Sequence, residues 1–207
     1  MGRLPIDMES VPIDFVSFTA HKFHGPQGVG ALACADRGLL RPLLHGGDQQ
    51  HGLRAGTENL PGLAGLAIAA RLRRLGFKAA VRKLAQLRDA FEKALLKHEG
   101  IRVNGDPAHR VPNTSSLRFA GVDGLAMLAR LDAAGVQCSM VSACTSARPE
   151  PSPVLRAIGL SEAEAYASLR FSFAIDNTPA QAKEAARLAG ANYKMLLDGE
   201  KKRKAAS

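Results

Sequence analysis

Two short apolar runs with β-branched content, Asp14–Thr19 and Val29–Ala35, stand on either side of Gly25-Pro-Gln-Gly28. Glycine and proline interrupt regular structure, so the runs read as two strands flanking a turn. The turn carries Thr19-Ala-His-Lys22, which sets a lysine at the end of an apolar run with an imidazole and a hydroxyl beside it. A loop rich in glycine and histidine follows, from His45 to Thr57. A helical pattern then runs from about Leu60 to His98, with a break at Gly76 that reads as a domain hinge.

After Gly100 the texture changes. Ile101–Val103, Ser115–Phe119, Val136–Cys138 and Ser168–Phe173 are predicted strands, and Gly124–Ala133 a helix. Thr178-Pro179 opens a closing helix over Gln181–Leu197, with the threonine as N-cap and the proline in the first turn. Strands mixed with helices in this order predict a small α+β domain. The basic residues Lys201-Lys-Arg-Lys204 read as a loose tail.

A second chemically distinctive segment is Ser142-Ala-Cys-Thr-Ser146. Pro149, Pro151 and Pro153 argue against helix through the stretch that follows, which leaves the Cys144 thiol on a loop. A mobile loop lets one thiolate collect an atom in one place and release it in another. Cys34 and Cys138 lie in or at the end of apolar strands, where an inert thiol is the usual state. Three cysteines without a CxxC spacing suggest neither a disulfide framework nor a zinc cage, and a working thiol suits a reducing cytoplasm. No window of the sequence reaches the ~18 apolar residues of a membrane span, and no membrane partner is expected.

The net charge of +9 raises the question of nucleic acid. The positive residues concentrate in one helical stretch, from Arg71 to Arg88, and in the terminal tail, with only 5% aromatic residues. That is a solvated helix face or a surface for an acidic protein, and nucleic acid is not expected. Gly28-Val-Gly30 lacks the spacing of a dinucleotide fingerprint. His24, His45, His51, His98 and His109 have neither ligand spacing nor a paired carboxylate, and no resident metal is expected.

Lysine upstream and cysteine downstream, in these surroundings, resemble the cysteine desulfurases, pyridoxal-phosphate enzymes of the class V aminotransferase family. The resemblance implies an α/β fold: the C-terminal part of a fold-type I transferase, with the end of a large, mostly parallel-sheet domain over residues 1–75. A small α+β domain with the cysteine loop would occupy 76–197 and a basic flexible tail 198–207. It implies pyridoxal 5'-phosphate as cofactor, linked to Lys22 and held at its phosphate by Thr19, His21 and, across a homodimer interface, Thr57 of Arg54-Ala-Gly-Thr57. Amine attack on an aldehyde uses the neutral amine.

Arg170 puts a charge into the apolar strand Leu169-Arg-Phe-Ser-Phe173, where a structural ion pair would be the ordinary explanation. The resemblance instead makes it a bidentate clamp on the substrate carboxylate, with Asn113 nearby. The implied reaction converts L-cysteine to L-alanine and leaves a persulfide on Cys144, which passes sulfur to an iron–sulfur scaffold or a thiolation partner. Cys144 would also be the residue to touch a transferred iron–sulfur cluster. A selenocysteine-lyase-like enzyme, or a noncatalytic module that dimerises or binds a sulfur acceptor, are the competing expectations.

Departures from the family pattern are local and global. Met140 and Val141 replace a small, Gly-containing stretch, which would stiffen the cysteine loop, and Asp48, Gln50 and His51 replace the usual Gly, Glu and Arg. The family's ring-stacking histidine, ring-nitrogen aspartate and ring-oxygen glutamine have no counterpart here. The chain therefore reads as a C-terminal half, expected to hold the cofactor weakly and to turn over little by itself.

Overall fold

The structure, a computed structural model, describes residues 2–140 and 151–205. The chain forms two compact units, Met1–Ala79 and Ala80–Ser207. Among the described residues no helix is long and apolar enough to cross a membrane.

In the first unit β1 (Phe15–Thr19) pairs antiparallel with β2 (Gly30–Cys34), Phe15 opposite Cys34 and Thr19 opposite Gly30. Among the described strands of this unit the pairing is antiparallel, as two strands flanking a turn predict. The reason is local: residues 20–29 form too short a link for a parallel crossover, which takes about a dozen residues or more. That link contains a single 3-10 turn, Ala20–Phe23, with Lys22 in it. Helix α1 (Leu60–Arg74) packs on this turn through a small core of Ala20, Phe23, Val29 and Ala69, joined by Phe18, Leu63 and Leu66. The approach is close enough that a Cβ on Gly65 would stand 2.5 Å from Pro26 Cγ. Asn59 caps α1, its Oδ1 accepting the Gly62 N–H at 3.0 Å. The helical run then breaks where the sequence places Gly76, whose φ of 66° is left-handed.

Helix α2 (Phe77–Leu95) carries the chain into the second unit. There β3 (Ile101–Val103), β4 (Thr114–Phe119) and β5 (Ser168–Ser172) form an antiparallel sheet in that order. One face of the sheet joins a core with α2, α3 (Gly124–Ala133) and α6 (Pro179–Ala205). Phe91, Leu95, Ile101, Leu117, Phe119, Met127, Leu131, Leu169 and Phe171 fill it. Thr178 and Gln181 cap α6 reciprocally: Gln181 N–H donates to Thr178 Oγ1 at 3.2 Å and Thr178 N–H to Gln181 Oε1 at 2.9 Å.

Three expectations are corrected here. Val136–Cys138 is not a strand: Val136 and Cys138 pack against the core, and the backbone meets β5 only at the next residue, in an isolated bridge of Ser139 to Arg170, too short a pairing to make a strand. Pro153 does not prevent helix but begins one: α4 (Pro153–Ala157) starts with Ser152 as cap, a position where the missing proline N–H costs nothing. The terminal basic residues are not a loose tail, since α6 continues to Ala205, with Arg203 pairing to Glu200 at 3.0 Å. Lysine, arginine and alanine are strong helix formers, and an i,i+3 pair adds to that preference.

Candidate active site

The first unit gathers Thr19, His21 and Lys22 on one turn. Ala20 and Phe23, at 0% and 2% exposure, anchor the turn in the small core, so the residues between them point outward and Lys22 is exposed. Thr19 Oγ1 lies 3.0 Å from His21 Nδ1 and also reaches the Val29 carbonyl oxygen at 3.3 Å. The hydroxyl has one proton to give. When it donates to Nδ1, the neutral ring keeps its N–H on Nε2, a donor for an anion.

A hydroxyl, an imidazole and an amine within four residues make a donor set suited to a phosphate and an aldehyde on one molecule, and pyridoxal phosphate fits it. Thr57 stands exposed at the end of the His45–Thr57 loop, after Gly56 at φ 106°. Gln50 and His51 take left-handed φ values of 52° and 60° in that loop, uncommon for residues with a Cβ. Gln49 Oε1 fastens it by accepting the Gly56 N–H at 3.1 Å.

The second unit carries Arg170 on β5 and Asn113 immediately before the neighbouring strand β4. Arg170 lies in the middle of β5, opposite Ser116, with its side chain on the exposed face. It belongs to no ion pair among the described residues, so the ordinary structural explanation for a strand arginine has no support there. Asn113, 4% exposed, clamps the end of the sheet. Its Nδ2 donates to the Phe173 carbonyl at 3.4 Å while the Phe173 N–H donates to the Asn113 carbonyl at 2.8 Å. Asn113 is positioned in turn by α2. Arg110 forks onto the buried Glu92 carboxylate at 2.5 and 2.7 Å, and Arg88 donates to the Val111 carbonyl at 3.1 Å. Glu92 and Arg110 stand 18 positions apart and give no periodic signal in the sequence.

Cys144 lies outside the described residues. Met140, the last described residue before it, packs against the second unit's core. Of the other thiols, Cys34 donates to the Asp36 carbonyl at 2.9 Å. The Cys138 thiol is pushed up to about 11, first by burial and second by the charge of Asp132. Its reactive thiolate is therefore scarce at neutral pH and grows about tenfold per pH unit below that value. At pH 8 Cys138 should alkylate at least about tenfold more slowly than an unhindered thiol of pKa ~8.5, the scarcity of its thiolate outweighing that thiolate's greater nucleophilicity. Mass-spectrometric labelling rates between pH 7 and 10 would check this, and a fast, pH-independent reaction would contradict it.

Comparison with known proteins places these features in a family. The profile of the class-V aminotransferases matches residues 1–184, and the chain belongs to that family. A cysteine desulfurase of Trichormus azollae is 43% identical over 182 residues, covering 87% of this chain and 46% of the relative. Among solved structures, a NifS-like protein superposes with a TM-score of 0.81 at 30% identity, over 94% of this chain and 50% of its own. SspA, solved in complex with cysteine, gives 0.60 at 31% identity over 81% of this chain and 46% of its own. The chain thus spans about half the length of the curated relatives it matches. The mixed α/β arrangement is that of part of a fold-type I transferase.

Proposed function

We propose that this chain provides the lysine-bearing and cysteine-bearing part of a cysteine desulfurase, converting L-cysteine to L-alanine and carrying the released sulfur on Cys144. The observation that carries this reading is the extent of the family match. Residues 1–184 include Lys22, Thr57, Cys144 and Arg170, and relatives 43% identical bear the name cysteine desulfurase. Likeness to a protein solved with cysteine bound supports the substrate.

Pyridoxal phosphate, when bound, supplies an aldehyde for amines and a ring that withdraws electrons from the substrate. Thr19 and His21 hold its phosphate, and Thr57 reaches the phosphate of a second copy, which makes the working unit a homodimer. Arg170 grips the substrate carboxylate in a two-pronged hydrogen bond. Lys22 Nζ carries the proton that leaves the substrate α-carbon. The Cys144 thiolate attacks the substrate sulfur: a sulfur–sulfur bond forms as the carbon–sulfur bond breaks, and the electron pair and a proton go to the three-carbon product, alanine. The sulfur then passes to an acceptor protein for iron–sulfur assembly or thiolation. A free working thiol suits a reducing compartment such as the cytoplasm. The ring-contacting groups belong, on this reading, to the part of the relatives' length that the chain does not span.

The test is alanine formation from L-cysteine with pyridoxal phosphate present, together with mass mapping of a 32-Da increment on the Cys144 peptide. It is run with the chain alone and with the polypeptide that supplies the ring contacts. Cys144→Ser should remove the increment and lower alanine formation by roughly a hundredfold or more. Alanine formed at the same rate by that variant would identify a lyase that does not need the thiol.

A further inference from the structure

The sheet of the second unit has a polar face, and its pattern bears on how Arg170 stays available. Alternation along β4 buries Ser115, Leu117 and Phe119 and turns Thr114, Ser116 and Arg118 to the other side. Along β5 it buries Leu169 and Phe171 and exposes Arg170 and Ser172. Register aligns one row across this face. The Asn104 N–H donates to the Ser116 carbonyl at 2.8 Å, and Ser116 stands opposite Arg170. On its other edge Arg170 exchanges backbone hydrogen bonds with Ser139, at 2.6 and 3.1 Å. Because those backbone groups face Ser139, Ser116 and Arg170 form a non-hydrogen-bonded antiparallel pair, the kind in which facing side chains come closest.

Three arginines share the face, and two are engaged. Arg118 pairs with Glu164, and Arg102 donates to the carbonyls of Glu99 and Ile101 at 2.5 and 2.9 Å. Arg170 has no carboxylate partner among the described residues. Its neighbours in register are neutral: Ser116 across the pair, Ser168 and Ser172 two positions to either side. Asn104 fixes two of them, Nδ2 donating to Ser116 Oγ at 3.1 Å and to Ser168 Oγ at 3.0 Å.

An arginine that must take up a substrate carboxylate cannot already hold one. A carboxylate in the facing position would occupy it first, since charge-assisted pairs are the strongest cross-strand contacts available. We infer that Ser116, fixed by Asn104, is a positioning residue for Arg170: a small neutral side chain in the closest cross-strand place leaves the guanidinium without a carboxylate partner among the described residues and open to the ligand. This rests on the reading of Arg170 as the carboxylate-binding group.

Ser116→Asp and Ser116→Asn separate charge from shape. In the 207-residue chain, L-alanine presents the substrate's carboxylate without its thiol. The Arg170 side-chain N–H resonance, assigned by its loss in Arg170→Lys, reports engagement. Wild type and Ser116→Asn should give the same saturable shift with L-alanine. Ser116→Asp should move the resonance before ligand is added and weaken L-alanine binding roughly tenfold. Ser172→Asp, the next outward position on the same strand face, provides a second carboxylate if Ser116→Asp does not fold. An unmoved Arg170 resonance in the aspartate variants, or L-alanine binding equal to that of Ser116→Asn, overturns the inference and leaves the reading of Arg170 standing. No saturable shift in the wild type overturns that reading instead.

Discussion

Replacing Lys22 with alanine is expected to abolish site-specific covalent capture of pyridoxal phosphate by this chain. Lys22 is exposed on a turn whose neighbours Ala20 and Phe23 are buried, so its removal leaves the packing of that turn intact. Exposed substitutions of this kind change stability by about 0.5 kcal/mol or less. The loss should therefore be chemical and not structural. Borohydride reduction in the presence of the cofactor, followed by peptide mapping, reads it directly: wild type should carry the adduct on the Lys22 peptide, and Lys22→Ala should carry none there, at an unchanged melting temperature. Other lysines supply the internal comparison, since Lys78 on α2 and Lys201 on α6 are also exposed. A wild-type adduct spread evenly over such lysines would remove Lys22 from the proposed chemistry.

Much of the second unit was legible because its sequence agrees with itself at several levels. Gly124–Ala133 combines an apolar helical period with Asp123 as a cap, and the observed helix has those bounds. Ser168–Ser172 alternates buried and exposed residues over four of its five positions, and the strand follows. Errors arose where two local signals competed. Prolines at 149, 151 and 153 were read as uniformly helix-breaking, although Ser152-Pro153 is also a helix start; the second meaning holds. Helix α5 (Glu162–Tyr166) was missed although Ser161-Glu-Ala-Glu164 is a capping box, whose reciprocal bonds the structure shows. The antiparallel pairing of β1 and β2, by contrast, was legible, because the link between the two apolar runs is too short for a parallel crossover.

The site divides the same way. Lys22 could be placed on a turn from Gly25-Pro26 alone, because turn chemistry is local. The surroundings of Arg170 could not, because they depend on register: Ser116 is 54 positions away and meets it only through the pairing of β4 with β5. The sequence of β4, Thr114-Ser-Ser-Leu-Arg-Phe119, does hold the signal in part, since Thr114, Ser116 and Arg118 fall on one side of an alternating strand and announce a polar face. Which cation that face would serve is settled by tertiary pairing.

Phe171 ties the carriage of Arg170 to the core, and Phe171→Ala should have the largest effect on stability among single changes near the site. Its ring is 4% exposed, with its centroid 4.8 Å from that of Phe91 and 6.3 Å from that of Phe119. It therefore joins β5 to α2 and to β4 at once. Truncating a buried phenylalanine removes its transfer free energy and leaves a cavity, about 3–5 kcal/mol together. A domain has only about 5–15 kcal/mol in total. Among the described residues β5 is held on one side by β4 and on the other by one bridge at Ser139, and of its core side chains Leu169 alone remains once that ring is gone. Denaturant unfolding should show the second unit's midpoint falling sharply, and hydrogen exchange should show faster exchange at Leu169 and Phe171, whose backbone groups face β4. Phe171→Leu, which keeps most of the volume, should recover more than half of the loss. A Phe171→Ala chain with unchanged midpoint would mean that α2 and α6 hold the unit together without the sheet face that presents Arg170.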